Sequence, residues 1–175
     1  MITLYTAVTL DGFIATEDGN VDFLENPSYK LPDEDYGYAG FYEDIDVVVM
    51  GYNTYIQVVN FEGEYPYKGK HSVVFSRTEN TDSIGDDIEI TKRSESEVVQ
   101  ALKTEGKNVW IIGGGATNAR IHESGHIDKM ILTYLPITLG KGIPLFRENG
   151  GSHEWKNTGT RTFANGLVQI TLERK

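Results

Sequence analysis

The chain contains no cysteine. That absence excludes disulfides, thiolate catalysis and cysteine-ligated zinc. Positive charge is scarce as well: 16 Lys and Arg stand against 26 Asp and Glu, a formal net charge of −10. Nucleic-acid binders carry a basic face, so no nucleic-acid partner is expected. Long apolar runs are missing: no window approaches the roughly 18 consecutive apolar residues that read as a membrane span. The opening Met1-Ile2-Thr3-Leu4 shows no basic segment and no secretory apolar region. A cytoplasmic location with no membrane partner is therefore the expectation. The histidines, His71, His122, His126 and His153, have no metal-ligand spacing, and no metal site is expected.

What is present suits an ordinary globular chain: 175 residues, 39% hydrophobic and 11% aromatic. This length accommodates one domain, 1–175, with a real core. The organising stretch is Val109 to Arg120, Val-Trp-Ile-Ile-Gly-Gly-Gly-Ala-Thr-Asn-Ala-Arg. Its apolar run reads as a strand buried on both faces. The glycines stop the strand, and a helix is predicted from Gly115 to about His122. A strand, a glycine turn and a helix start gather backbone N–H groups and a positive dipole end at one point. Glycine also lets a phosphate or another backbone approach closely. The stretch is not Gly-x-Gly-x-x-Gly, because position 118 is Asn. By itself it fits a nucleotide site or a structural turn equally.

The rest alternates strands and helices. Ile2 to Val8 reads as a strand, followed by the Asp11-Gly12 turn signal and by Phe13-Ile14-Ala15. A long loop punctuated by Pro27 and Pro32 leads to Asp33-Glu34-Asp35, which reads as an acidic first helical turn. Ile45 to Met50 is a second buried strand ending at Gly51, with Asn53-Thr54 able to cap the next helix, to about Val59. Strands are predicted at His71 to Ser76 and Ile88 to Thr91. Ser94-Glu95-Ser96-Glu97 is a capping box opening a helix to about Glu105. Asp128 to Leu135 is a long strand. Glu154–Phe163 and Leu167–Glu173 flank Asn165-Gly166, a hairpin signal. The predicted fold is α/β: a mixed, mainly parallel twisted sheet with helices on both faces and an antiparallel C-terminal hairpin. Gly51, Ser76 and Gly113 all lie at strand ends, where open α/β sheets bind ligands.

This order of motifs resembles the dihydrofolate reductase superfamily. Met50-Gly51-Tyr52-Asn53-Thr54-Tyr55 is similar to its Met-Gly-Arg-x-Thr-Trp/Tyr stretch. Val109 to Gly115 is similar to its Val-x-Ile-Gly-Gly-Gly, and Met130-Ile131-Leu132-Thr133 to a later Leu-x-Leu-Thr strand. Two segments point to one branch. Thr9 to Ala15 resembles the Ser-Leu-Asp-Gly-x-Ile-Ala signature of the reductase domain of bacterial riboflavin biosynthesis. Pro136 to Phe146 resembles that branch's Pro-x-x-Leu-Gly-x-Gly-x-x-Leu-Phe.

The resemblance implies an NADPH-dependent oxidoreductase. Its hydride acceptor would be a pterin such as dihydrofolate, or a ribosylaminopyrimidine of the 5-amino-6-(5-phosphoribosylamino)uracil kind. The alternative is a nucleotide-binding module of the same fold that has lost catalysis. Carried over by position, Gly113, Gly114 and Gly115 hold the cofactor pyrophosphate, with a cis peptide between the first two and with Ala116 and Thr117 following. Gly51, Tyr52, Asn53 and Thr54 form the other phosphate-facing helix start. Ala7 and Ile14 lie on the cofactor from the first strand and its loop. Ser76, Arg77 and Lys92, with Arg93 beside it, surround the 2′-phosphate. Tyr52 replaces the family's usual Arg, which removes one cation there. The candidate acids are Asp35, with Asp33 or Glu34 as substitutes in register, and Asp11 of the Leu-Asp-Gly signature. Thr133 would face the substrate ring. The branch also implies a homodimer formed through a sheet edge.

Overall fold

The computed structural model describes residues 1–78, 87–147 and 151–175. The strands are β1 Ile2–Thr9, β2 Phe13–Ala15, β3 Val47–Gly51, β4 His71–Phe75, β5 Ile88–Thr91, β6 Val109–Gly113, β7 Lys129–Leu135, β8 Ile143–Pro144, β9 Trp155–Thr162 and β10 Val168–Arg174. The helices are α1 Tyr38–Glu43, α2 Tyr52–Val59, α3 Glu95–Thr104 and α4 Gly115–Glu123. Eight strands form one sheet in the order β5-β4-β3-β6-β1-β7-β10-β9, and β2 pairs with β8 in a second, two-stranded sheet. The pairs from β5 across to β7 are parallel, while β10 runs antiparallel to both β7 and β9.

The central strands β3 and β6 carry no polar side chain because both faces are covered. In β3, Val47 and Val49 join the cluster containing Val98 and Val99 of α3 and Ile121 of α4. Val48 and Met50 join the opposite cluster, with Tyr55 and Val58 of α2 and with Phe41 and Tyr42 of α1. The alternation is the period-2 geometry of a strand. Each such fully buried aliphatic side chain contributes about 1.5–3 kcal/mol relative to exposure. Helix α3 starts as the sequence predicts: Glu97 N–H donates to Ser94 Oγ at 3.3 Å, and Ser94 N–H donates to Glu97 Oε2 at 3.0 Å. The Asn165-Gly166 turn also holds: Gly166 has φ +87° and Phe163 N–H donates to the Leu167 carbonyl.

Several expectations are corrected. Asp33-Glu34-Asp35 is not a first helical turn. Asp33 and Tyr36 have φ near +60°, which no α-helix allows, and the helix begins at Tyr38. Asn53 and Thr54 are not caps but lie inside the first turn of α2, whose N-cap is Gly51. The long strand β7, read as a potential sheet edge, is interior, between β1 and β10; the edges are β5 and β9. The β2–β8 pair has no counterpart in the sequence reading, because strands this short carry little periodic signal.

Candidate functional site

The carboxyl ends of β3, β4, β5 and β6 lie side by side, since Gly51 is in register with Phe75, Phe75 with Thr91, and Met50 with Gly113. At this edge the two glycine-bearing junctions meet. Helix α2 starts after Gly51 and helix α4 after Gly114, and neither N-cap has a side-chain hydrogen bond. A Cβ on Gly51 would stand 2.8 Å from Thr117 Oγ1, and one on Gly114 would stand 3.2 Å from Thr54 Oγ1. Any Cβ here would press on the threonine of the other helix, because the two helix starts are packed together. The Gly113–Gly114 peptide is cis and Gly113 has φ +128°. The first turns of α2 and α4 therefore start side by side, and helix N-termini favour anions.

A cavity of about 310 Å³ opens beside the carboxyl ends of β1 and β7. Its walls include Tyr5, Ala7, Trp110, Thr133, Asp35 and Tyr38. The walls are aromatic and locked together: Trp110 Nε1 donates to the Tyr5 carbonyl at 3.0 Å, and the Tyr38 and Trp110 rings meet edge-on at 5.8 Å. Its polar floor is a buried relay. Gln169 Nε2 donates to Thr133 Oγ1 and to the Tyr36 carbonyl, both at 3.0 Å. Tyr5 OH donates to that same Tyr36 carbonyl at 3.0 Å. Sequence reasoning missed Tyr5, Tyr36, Trp110 and Gln169. Trp110 read as core, and the other three lie on separate segments that only folding brings together.

Asp35 lines this cavity and holds the backbone at the start of α1, whose N-cap is Gly37. Its carboxylate accepts from Gly37 N–H at 2.9 Å and from Ala39 N–H at 2.8 Å. The Ala39 N–H, then the Gly37 N–H, hold its carboxyl below the ordinary carboxylate range. Asp35 is thus an ionised acceptor at neutral pH. Burial pushes the Tyr5 and Tyr38 phenols up, so both keep their protons.

Asp11 lines neither this cavity nor the one below. Its carboxylate accepts from Thr9 Oγ1 at 2.6 Å, from Leu139 N–H at 3.0 Å and from Gly140 N–H at 2.7 Å. It clasps the β1–β2 turn to the segment after β7. The Thr9 hydroxyl is the first cause of its lowered carboxyl pKa. The Leu-Asp-Gly signature therefore has a structural explanation that needs no proton chemistry.

A second, polar cavity of about 850 Å³ lies between α2, the 17–22 loop and the segment from Gly142 to Arg147. Asn53 and Thr54 line it, and Gln57 Nε2 ties α2 to the Gly19 carbonyl. Thr117 is instead buried against Gly51, and Ile14 packs against the core. The Tyr52 ring packs with Tyr55 on the α2 face. Ser76 is buried with its Oγ donating to the Thr78 carbonyl, whereas Arg77, Lys92 and Arg93 are exposed just past β4 and β5. Among the described residues no group of three or more His, Asp or Glu side chains stands together as a metal site, and no helix is long and apolar enough to cross a membrane.

An open α/β sheet with its crevice at the ends of parallel strands defines a protein that binds its ligand there. The chain belongs to the family of the RibD C-terminal domain, whose model matches residues 1–169. It is 36% identical over 166 residues to the uncharacterized protein YwjB of Bacillus subtilis (strain 168), covering 94% of this chain and 92% of that one. Its fold is similar to the solved structure of a putative riboflavin biosynthesis protein from Shewanella sp. PV-4, with TM-score 0.86, 31% identity and 99% and 98% of the two chains covered. It is also similar to the diaminohydroxyphosphoribosylaminopyrimidine deaminase/5-amino-6-(5-phosphoribosylamino)uracil reductase of Thermotoga maritima, with TM-score 0.67 and 17% identity. There this chain is covered fully and spans 56% of the longer one. That last likeness is one of fold.

Proposed function

We propose that this protein is a nicotinamide-dependent reductase of a flat nitrogen heterocycle, a pterin or a ribosylaminopyrimidine, with NADPH as the cofactor. The observation that carries the reading is the adjacency of an anion-binding junction and an aromatic cavity at one sheet edge. The residues fit a dinucleotide. Two uncapped helix starts offer backbone donors to a pyrophosphate, and glycines keep Cβ atoms out of the approach. A bound reduced nicotinamide supplies the hydride.

The chain's own groups orient the acceptor. Aromatic faces from Tyr5, Tyr38 and Trp110 hold a flat ring. Ionised Asp35 accepts from a ring N–H, and Thr133, already holding Gln169, offers a hydroxyl to a ring nitrogen or carbonyl. The aromatic lining excludes water from the ring that takes the hydride.

One observation favours a second reading, a nucleotide-binding module without catalysis. Both candidate carboxylates are committed to backbone N–H groups, and Tyr52 stands where the family has Arg. Loss of NADPH absorbance separates the two. Sustained oxidation with 7,8-dihydrofolate or with the riboflavin pyrimidine intermediate is expected. Tight NADPH binding with no turnover across both substrate classes would establish the module instead.

A further inference from the structure

The polar cavity is acidic except at one place. Glu17, Asp18 and Asp22 line it, and among the described residues Arg147 is its one lining cation. The carboxylates already have partners. Glu17 pairs with Lys141 at 2.7 Å, Asp18 accepts from Thr16 Oγ1, and Asp22 accepts from Asn20 Nδ2 at 2.7 Å. Arg147 is exposed, and its guanidinium has no hydrogen bond or ion pair with any described residue.

The backbone of Arg147, by contrast, is held firmly. Arg147 N–H donates to the carbonyl of Gly115, the first residue of α4, at 2.9 Å. Two residues earlier, Asn118 Nδ2 donates to the Leu145 carbonyl and Leu145 N–H to the Gly12 carbonyl, each at 2.9 Å. The contact is so close that a Cβ on Gly115 would stand 2.2 Å from the Pro144 carbonyl oxygen. The segment Gly142 to Arg147 is thus a strap laid across the first turn of α4. It ends by placing Arg147, whose guanidinium has no partner among the described residues, beside Asn53 and Thr54 of α2.

We propose that Arg147 is a phosphate-binding residue, contacting a phosphate of the dinucleotide that NADH and NADPH share. The inference rests on the nicotinamide reading. On a chain of net charge −10, and in a cavity rimmed by carboxylates, backbone donors alone face a repulsive field. A guanidinium fork suits phosphate oxygens, and a fixed backbone lowers the cost of holding it there. Arg147 adds a cation at the α4 junction, while Arg77 stands past the end of β4. The two arginines therefore affect the two cofactors differently.

The test uses the full chain as wild type, Arg147→Gln and Arg147→Lys. Dissociation constants for NADPH, NADH and ribose 5-phosphate are measured by calorimetry at two ionic strengths, with a thermal melt of each variant. Arg147→Gln is expected to weaken NADPH and NADH by the same factor, about tenfold to hundredfold for a lost charge-assisted contact. The salt dependence of both should flatten, the melt should stay put, and Arg147→Lys should recover part of the affinity. Unchanged dinucleotide affinities in Arg147→Gln overturn the proposal. Loss confined to ribose 5-phosphate assigns the phosphate to a substrate and also overturns it. A wild-type chain that binds neither dinucleotide defeats the nicotinamide reading itself, an outcome distinct from both.

Discussion

At the residue scale, charge decides what each candidate can do. Arg77 is exposed at the end of β4, and Tyr52 offers a hydroxyl but no cation where the family has Arg. Arg77→Ala is expected to weaken NADPH by about one to two decades, the range of one charge-assisted contact, and to leave NADH nearly unchanged. Titration by cofactor fluorescence checks it; equal loss of both cofactors would move the source of any preference to Lys92 or Arg93. Asp35 makes a pH prediction. Its carboxyl is depressed in the folded state by the Ala39 and Gly37 N–H groups, so its contribution to stability is present above the unfolded carboxylate value. It is lost as pH falls through the lower, folded value. The melting-temperature gap between wild type and Asp35→Asn should therefore be full at pH 7 and close progressively below about pH 4. A gap that is constant from pH 7 to pH 2 would show that the ionised Asp35 carboxylate contributes nothing. The family resemblance, counted back from Met50, nominated Asp35 with Asp33 and Glu34 as substitutes, but the surroundings of Asp35 were not legible. Its partners depend on Tyr36 at φ +60°, a conformation no propensity predicts for tyrosine.

At the scale of elements, the strap and the helix starts are coupled by close approach of backbones. Gly115→Ala would place Cβ 2.2 Å from the Pro144 carbonyl, and a carbonyl cannot swing away as a side chain can. A loss of about 1–3 kcal/mol is expected, in the range of overpacked cores, together with looser dinucleotide binding as the strap lifts. Gly40 in α1 is the contrast, since a Cβ there meets nothing within 4 Å and its φ is not positive. Gly40→Ala should stabilise by about 0.5–1 kcal/mol, the usual helical Gly-to-Ala gain. Urea unfolding of the two variants measures both, and similar signs would contradict the packing account. Elements with strong local codes were readable in advance. The Ser94 capping box, the Asn165-Gly166 turn and the apolar strands each carry a signal within a few residues. The β2–β8 pair was not readable, because its partners lie more than a hundred residues apart and each is only a few residues long.

At the scale of the molecule, the sheet arrangement bears on assembly. The expected homodimer rests on the resemblance of Pro136 to Phe146 and the neighbouring long strand to a branch that dimerises through a sheet edge, yet β7 is paired on both sides. The free edge β9 is polar and exposed along most of its length, a feature that guards against edge-to-edge pairing. A C₂ homodimer is expected to use a face or a loop rather than extension of the sheet across β9. Light scattering at micromolar protein is expected to give twice the mass of the chain, and Thr160→Pro in β9 is expected to leave that mass unchanged. A monomeric wild type would end the dimer proposal.

The chain's residues by themselves determined the α/β class, the mainly parallel order and the glycine junction between β6 and α4. These follow from apolar runs, glycine turns and caps, all of which act over neighbouring residues. Tertiary structure alone decided which residues share a site. Trp110, Thr133, Gln169 and Asp35 come from distant segments, and Asp11 is drawn away to the backbone of Leu139 and Gly140. Arg147 reached the polar cavity only because Gly115 and Gly142 have no side chains to hold the strap off α4 and β2. Such contacts span most of the chain, and hydrophobic period and turn chemistry report only on what lies within one element.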